Sequence, residues 1–294
     1  MKTDVEGMVD CLGRSRITRP EPNIEAQVCI ATVVSAGFAD LLEDLLESLR
    51  LNAGCADAAV VVFLVDGDAA CRSVALEHGA RIAECSSVAR INTAVKSVLY
   101  SVAEVIGAQK FLCLDADMFV LASLRPVLDA LDVLPEDAIL CCAEGDRPHF
   151  RDLEHALLTI YDGGAGDFGR LLEDPDGEPQ YPFVVNEGFF AGSRTALLGL
   201  AETLRSMRQV SEWIDERPDN WWRSQFIFNL ALARRRCGVQ LHPTYNVQLH
   251  VQDVDVDWSA GRARALSAGR TVRVLHFNGV GRAKRASYRY LLGS

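Results

Sequence analysis

The order of apolar runs and amphipathic stretches predicts an α/β domain, with a mostly parallel mixed sheet, helices on both faces and an elaborated C-terminal half. Three observations carry that expectation. Apolar runs recur at residues 28–34, with Thr32 as the one polar residue, 58–65 and 111–114, as strands buried on both faces require. Between them lie stretches with a single apolar stripe at helical spacing. The run at 111–114 then ends in Asp115, Ala116 and Asp117, at the carboxyl end of its strand, where open parallel sheets bind ligands.

Residues 1–26 are polar, carry Pro20 and Pro22 and show no period, so they read as a flexible lead-in. Residues 28–34 (VCIATVV) form the first strand. After Ser35, Ala36 and Gly37 a helix runs through Leu41, Leu42, Leu45, Leu46 and Leu49. Residues 58–65 are the second strand, stopped by Asp66, Gly67 and Asp68; 69–79 suit a helix and 81–84 a short third strand. Over 91–106, Ala94, Val95, Val98, Leu99, Val102 and Val105 share one stripe and mark the helix that feeds the central strand. Beyond it Phe119, Val120 and Leu121 resume the apolar pattern, and a helical stretch runs from Ser123 to Leu131.

In the second half, 138–143 is a strand, and 144–182 is long, polar and rich in Gly, Asp and Pro, with a helical piece at 153–161. An excursion of that length beside a ligand site suits a lid or an acceptor-binding loop. Residues 184–194 (VVNEGFFAGSR) read as a strand interrupted at Asn186 and Gly188. Two helices follow, at 195–207 and at 220–234, the latter with Trp222, Phe226 and Leu230 on one face. Residues 241–246, 251–258 and 272–277 are strand-like. With no repeat and no linker, 27–294 is one domain, with a first half at 27–135 and an elaborated second half at 136–294.

A chain of 294 residues, 49% of them hydrophobic, can bury a sizeable core. The run at 58–65 is far too short to span a bilayer, and 1–27 lacks the apolar centre of a signal peptide, so a cytoplasmic location is expected. Nine cysteines, an odd number with no CxxC pair, argue against a disulfide framework and a zinc site. Cys29, Cys113, Cys141 and Cys142 lie inside apolar runs and read as small core residues. The formal net charge of −10 argues against a nucleic-acid partner.

If the chain stays extended past Leu114, Asp115 and Asp117 point to one side, about 7 Å apart. Two such carboxylates can share a hard divalent cation and leave its other positions to water or phosphate oxygens, so the implied ligand is a diphosphate carried on a metal. The same DxD pattern occurs at Asp66/Asp68, Asp174/Asp176 and in Asp253, Asp255 and Asp257, where a solvated turn or an exposed strand is the ordinary reading. Asp115 and Asp117 directly follow a core strand, and burying an unpaired charge costs several kcal/mol.

The motifs LDADMFVLASL, NEGFFAGSR, SQFIFN and LHFNG, in that order over roughly 28–284, resemble the glycosyltransferases of family 8, which include glycogenin and bacterial lipooligosaccharide galactosyltransferases. The resemblance implies a single domain of the GT-A type and transfer of a sugar, with retention, from a UDP-sugar with Mn2+ or Mg2+. The acceptor is left open among a saccharide, a lipid-linked glycan, a protein and a small metabolite; the 144–182 excursion, with Trp213, Trp221 and Trp222, is the region to search for it. By the same resemblance Asp115 and Asp117 hold metal and donor, with Ala116 between them, and His276 is the third protein ligand. Two carboxylates and an imidazole suit a mid-series divalent ion better than calcium. A histidine at a strand end is otherwise an ordinary core residue.

Further positions carry over in the same way. Gly279, with Gly281, is a tight backbone that can approach a diphosphate. Arg282, with Lys284 close by, is the cation against the leaving diphosphate. Asn186 sits beside the donor sugar, Gln225 near its anomeric carbon, Lys96 reaches the donor and Glu144 holds sugar hydroxyls. An amide on the wet side of its helix is the plainer reading of Gln225. A solvated tail is the plainer reading of Arg282, Lys284, Arg285 and Arg289; with Tyr288, Tyr290, Leu291 and Leu292 that tail also suits peripheral contact with an anionic membrane.

Three departures stand out. Ser224 replaces the Asp common before the glutamine, 32–35 (TVVS) lacks the acid often found at the end of the first strand, and the Lys-Pro-Trp ending is absent. The first two motivate a non-catalytic alternative, a nucleotide-sugar-binding scaffold. A second alternative is a haloacid-dehalogenase-like phosphatase, which also has four apolar residues before DxD, the first Asp being a nucleophile. Three strands precede the motif here, however, and Phe119 stands where those enzymes carry Thr or Val.

Overall fold

Strands rich in Val, Ile, Leu and Phe on both faces can be satisfied only between two layers of helices, and that is how this chain is arranged. The computed structural model describes residues 7–20, 24–88, 94–144, 184–215, 223–259 and 263–292. In chain order the elements are β1 (Met8–Val9), β2 (Ser15–Ile17), β3 (Glu25–Ser35), α1 (Ala39–Asn52), β4 (Ala59–Val65), α2 (Ala69–Glu77), β5 (Arg81–Ser87), α3 (Ala94–Tyr100), α4 (Val102–Val105), β6 (Gly107–Asp115), β7 (Met118–Val120), α5 (Arg125–Ala130) and β8 (Ile139–Ala143). There follow β9 (Val185–Ser193), α6 (Arg194–Ser206), α7 (Arg208–Asp215), α8 (Arg223–Arg235), β10 (Gly238–Gln240), β11 (Val247–Gln248), β12 (Asp255–Asp257), β13 (Arg264–Ser267), β14 (Arg270–Thr271), β15 (Val274–His276) and α9 (Arg282–Ala286).

The main sheet has the order β1-β2-β5-β4-β3-β6-β9-β8-β10. Strands β5, β4, β3 and β6 are mutually parallel, whereas β9 runs antiparallel to β6 and β8. The central strand shows the period of two: Phe111 and Cys113 pack with Phe190, Phe226 and Phe228 under α3, α6 and α8, while Leu112 and Leu114 pack with Leu42, Leu45 and Val127 under α1 and α5. A third apolar cluster of Phe119, Leu275, Phe277, Leu291 and Leu292 joins β7 and β15 to the C-terminal turn. All nine cysteines are free and buried, in keeping with a core role.

Several expectations are corrected. Residues 7–20 are no loose lead-in: β2 pairs with β5, Cys11, Leu12 and Ile17 are buried, and Asp10 accepts hydrogen bonds from the Leu12 N–H (2.8 Å) and the Ser97 hydroxyl (2.9 Å). The segment looks polar because its charges are paired inward. The helix feeding the central strand breaks at Ser101, whose hydroxyl accepts the Cys11 N–H at 2.8 Å. The third strand extends to Ser87 because Ser86 and Ser87 pair with β2. Residues 241–246 are no strand; β10 precedes them, and a 3-10 turn at Pro243–Tyr245 starts at the proline. Of 251–258 only Asp255–Asp257 is extended. The 144–182 excursion beyond Glu144, its helical piece at 153–161, Trp221 and Trp222 lie outside the described residues. Trp213, on α7, packs partly buried against the core.

The basic C-terminal stretch is partly built into the domain, while Arg282, Lys284, Arg289 and Tyr290 are exposed. Leu291 and Leu292 are buried, and Tyr290 stacks on Trp258 with ring centroids 5.6 Å apart. Arg285 is buried and pairs with Asp40 at 2.6 Å and Asp44 at 3.3 Å on α1. Among the described residues, no helix is long and apolar enough to cross a membrane.

Candidate active site

The chain does not remain extended past Asp115. It turns through Ala116 and Asp117 into β7, which pairs antiparallel with β15 so that Met118 lies opposite His276. The Phe277 N–H donates to the Asp117 carbonyl at 2.9 Å and fixes that turn. The turn brings both carboxylates to His276: Nε2 lies 3.5 Å from Asp115 Oδ2 and 3.3 Å from Asp117 Oδ1. One ligand atom from each of the three lies within 4.8 Å of the others. Gly188 leaves room for them, since a Cβ there would come within 2.6 Å of His276 Cε1 and 2.9 Å of Asp115 Oδ2.

Electrostatically the cluster is tightly balanced. Burial alone would raise the Asp115 carboxyl, but the paired Lys96 ammonium and then His276 hold it well below the usual carboxylate range. Burial would lower the His276 imidazole, and the carboxylates of Asp117 and Asp115 overcome this and raise it to about 9. The imidazole is 1% exposed and its Nε2 has no hydrogen-bond partner among the described residues. Two carboxylate oxygens and a buried, uncommitted ring nitrogen form a donor set that fits a divalent transition ion.

Beside the cluster is a cleft of about 430 Å³ between the carboxyl ends of β3 and β6. Val33, Ser35, Phe38 and Val95 line its sides, with Lys96 and the Asp115, Ala116 and Asp117 turn at its base. This volume is in the range of small-molecule sites.

A second polar group adjoins the first. The pairing of β8 with β9 jumps from Cys141–Phe190 to Cys142–Asn186, so the expected interruption of the strand is a bulge across residues 187–189. Glu144 Oε2 accepts from Asn186 Nδ2 and Gln225 Nε2, both at 2.9 Å, and Gln225 Oε1 is 3.2 Å from Asn186 Nδ2. Gln225 is buried, not on the wet side of its helix, because Asn229 one turn on ties α8 to both main-chain groups of Val185. Arg282 leans toward α1, donating to the Gly37 carbonyl at 2.8 Å and lying 3.5 Å from Asp40; Gly279 takes a left-handed φ of 67°, and Lys284 is exposed.

Two residues escaped the sequence reading. Glu187 is a buried carboxylate that accepts from the Tyr100 hydroxyl and, at 2.5 Å, from the Ser224 hydroxyl. Burial raises its carboxyl and the Lys96 ammonium opposes the rise. A charged residue between Asn186 and Gly188 in an otherwise apolar strand was the available signal. Asn246 bonds both Asn186 and His276, and nothing in its local sequence marked it.

No protein-family model matches the chain, and no curated protein sequence does. Solved structures share its fold. The bifunctional glycosyltransferase WbbM in its apo form matches 93% of this chain with a TM-score of 0.52 at 14% identity; the chain spans 45% of WbbM. The galactosyltransferase LgtC, in complex with donor and acceptor sugar analogues, matches 90% of this chain and 95% of its own length, with a TM-score of 0.54 at 15% identity. Mouse xyloside xylosyltransferase 1, in its apo form, matches 89% of this chain and 99% of its own, with a TM-score of 0.50 at 15% identity. The architecture is thus the GT-A fold expected from the motifs, with a large mixed sheet and helices on both faces.

Proposed function

We propose that this chain is a metal-dependent glycosyltransferase that moves a sugar from a UDP-sugar to an acceptor, with retention at the anomeric carbon. The observation that carries the reading is the meeting of Asp115, Asp117 and His276 from distant parts of the chain, beside a nucleotide-sized cleft that Asp115 and Asp117 line, in a fold shared with glycosyltransferases. LgtC holds donor and acceptor sugar analogues in this fold, which supports the same ligand classes here. Asp115, Asp117 and His276 would hold Mn2+ or Mg2+, which supplies positive charge to the diphosphate as its bond to the sugar breaks.

The chain's own residues do the rest. Lys96 holds Asp115 ionised and oriented. Phe38 and Val95 offer an apolar wall to a base. Gln225, Asn186 and Glu144 form a fixed polar surface for the sugar, and Arg282 and Lys284, beyond Gly279, are the first cations after His276 in the chain. The acceptor, whether saccharide, lipid, protein or metabolite, approaches from the C-terminal half.

The phosphatase alternative is disfavoured because Asp115 would have to be an unencumbered nucleophile, yet one of its oxygens is held by Lys96 and the other faces His276. The test is release of UDP from a panel of UDP-sugars with Mn2+ and no acceptor. Slow hydrolysis of one donor, abolished by EDTA, is expected. Release of phosphate from a phosphomonoester would favour the phosphatase, and binding of donor without any release the scaffold.

A further inference from the structure

We infer that Asn246, anchored by Asn186, is a positioning residue that fixes the tautomer of His276, so that in the neutral ring Nε2 is the nitrogen left to share a cation with the two aspartates. The inference rests on the metal-site reading above and assigns the amides a role that no sugar contact requires. His276 Nδ1 lies 2.9 Å from Asn246 Oδ1. Heavy-atom positions alone leave the direction of such a bond open, because an amide can be turned over and an imidazole has two tautomers. Here the main chain decides it.

The Gly188 N–H can only donate, and it lies 3.0 Å from Asn186 Oδ1, so that atom must be the accepting oxygen. The other amide atom of Asn186 is then the NH2 group, and it meets the Glu144 carboxylate, an acceptor. Asn246 approaches the same Asn186 oxygen at 2.9 Å and must therefore present its own NH2. That leaves the Asn246 oxygen toward His276, where it can only accept, so Nδ1 bears the proton and donates it. In the neutral ring Nε2 keeps its lone pair, and Nε2 is the atom that lies beside Asp115 and Asp117 with no hydrogen-bond partner among the described residues. Asn186, Asn246 and His276 are all buried, so water competes poorly for these bonds. Outer partners of this kind orient a metal-binding histidine and raise its basicity.

Two measurements test the inference. The first needs no metal: long-range 1H–15N spectra of histidine-labelled protein, recorded on the neutral imidazole, are expected to show the proton of His276 on Nδ1. The second titrates Mn2+ alone and counts the free ion by electron paramagnetic resonance. Asn246→Leu, close in size but without an acceptor, is expected to weaken Mn2+ binding by about 10- to 100-fold. Asn246→Asp keeps an acceptor for Nδ1–H and is expected to bind within a few-fold of wild type, whereas a merely structural asparagine would fail alike in both variants. A proton on Nε2, or wild-type Mn2+ affinity in Asn246→Leu, overturns the inference. Should Asn246→Leu not fold, the wild-type spectrum still decides. An Nδ1 proton in a wild-type protein that binds no Mn2+ would instead leave the tautomer standing and remove the metal reading.

Discussion

Replacing Asp117 by alanine is expected to lower kcat/KM for UDP release about a thousandfold or more while leaving the fold intact. The carboxylate sits in the turn between β6 and β7 with its side chain 26% exposed. Its loss removes little packed surface and leaves Asp115 as the remaining carboxylate facing His276 among the described residues. Functionally it removes one of three protein ligands, and with it the fixed positive charge opposite the departing diphosphate. A thousandfold loss corresponds to about 4 kcal/mol of transition-state stabilisation, the size of effect that charge preorganised in a water-poor site supplies. Steady-state kinetics at saturating Mn2+, with a melting curve on the same sample, check both halves. Wild-type turnover in Asp117→Ala would contradict the assigned site.

The second large effect concerns stability. Arg285→Ala is expected to destabilise the chain by about 3–5 kcal/mol at neutral pH. Arg285 is 5% exposed and Asp44 2%, and the guanidinium bridges Asp40 and Asp44 across the C-terminal helix and α1. Burial raises the Asp44 carboxyl above its ordinary value, partly offset by Arg289 and Arg285. Removing Arg285 leaves that carboxylate with Arg289, 3.0 Å away and half exposed, as its remaining ion-pair partner among the described residues.

The sign of the pH dependence follows. A carboxyl whose folded pKa exceeds its unfolded value binds its proton more tightly when folded, so it favours folding increasingly as pH falls through the raised pKa and disfavours it above. The deficit of Arg285→Ala is therefore largest at neutral pH and shrinks in mild acid. The double variant Asp44→Asn with Arg285→Met is expected to recover much of the loss, because no charge is then left buried. Urea denaturation at neutral and at mildly acidic pH measures all three. An Arg285→Ala deficit that grows on acidification would contradict the assignment.

The legible part of this chain was the part whose residues answer to their immediate neighbours. Strands β3, β4 and β6 announced themselves as apolar runs because both their faces are covered. Asp115 and Asp117 stood out because acids follow such a run directly. Their convergence with His276 depends on β7 pairing with β15, a contact across most of the chain that no local spacing encodes; only the resemblance of motifs pointed to it. The segment at 7–20 was misread because polar residues paired inward look the same in sequence as polar residues in water. Leu291 and Leu292 were misread for the converse reason, since an apolar pair at a chain end does not say whether it faces lipid or its own core. Asn246 and Glu187 stayed hidden because their partners, His276 and Asn186 for one and Tyr100 and Ser224 for the other, come from elsewhere in the chain.

The central claim is that one cation, held by Asp115, Asp117 and His276, joins this chain to the diphosphate of an activated sugar. Thermal unfolding followed with Mn2+ alone, UDP-sugar alone and the two together tests it most directly. A donor present at a hundred times its Kd stabilises by about 2.7 kcal/mol, or roughly 5–10 °C in Tm for a domain of this size. The predicted result is a shift of that size with one UDP-sugar and Mn2+ together, little with either alone, and none in Asp117→Ala. An equal shift without the metal, or no shift with any nucleotide sugar, would contradict the claim.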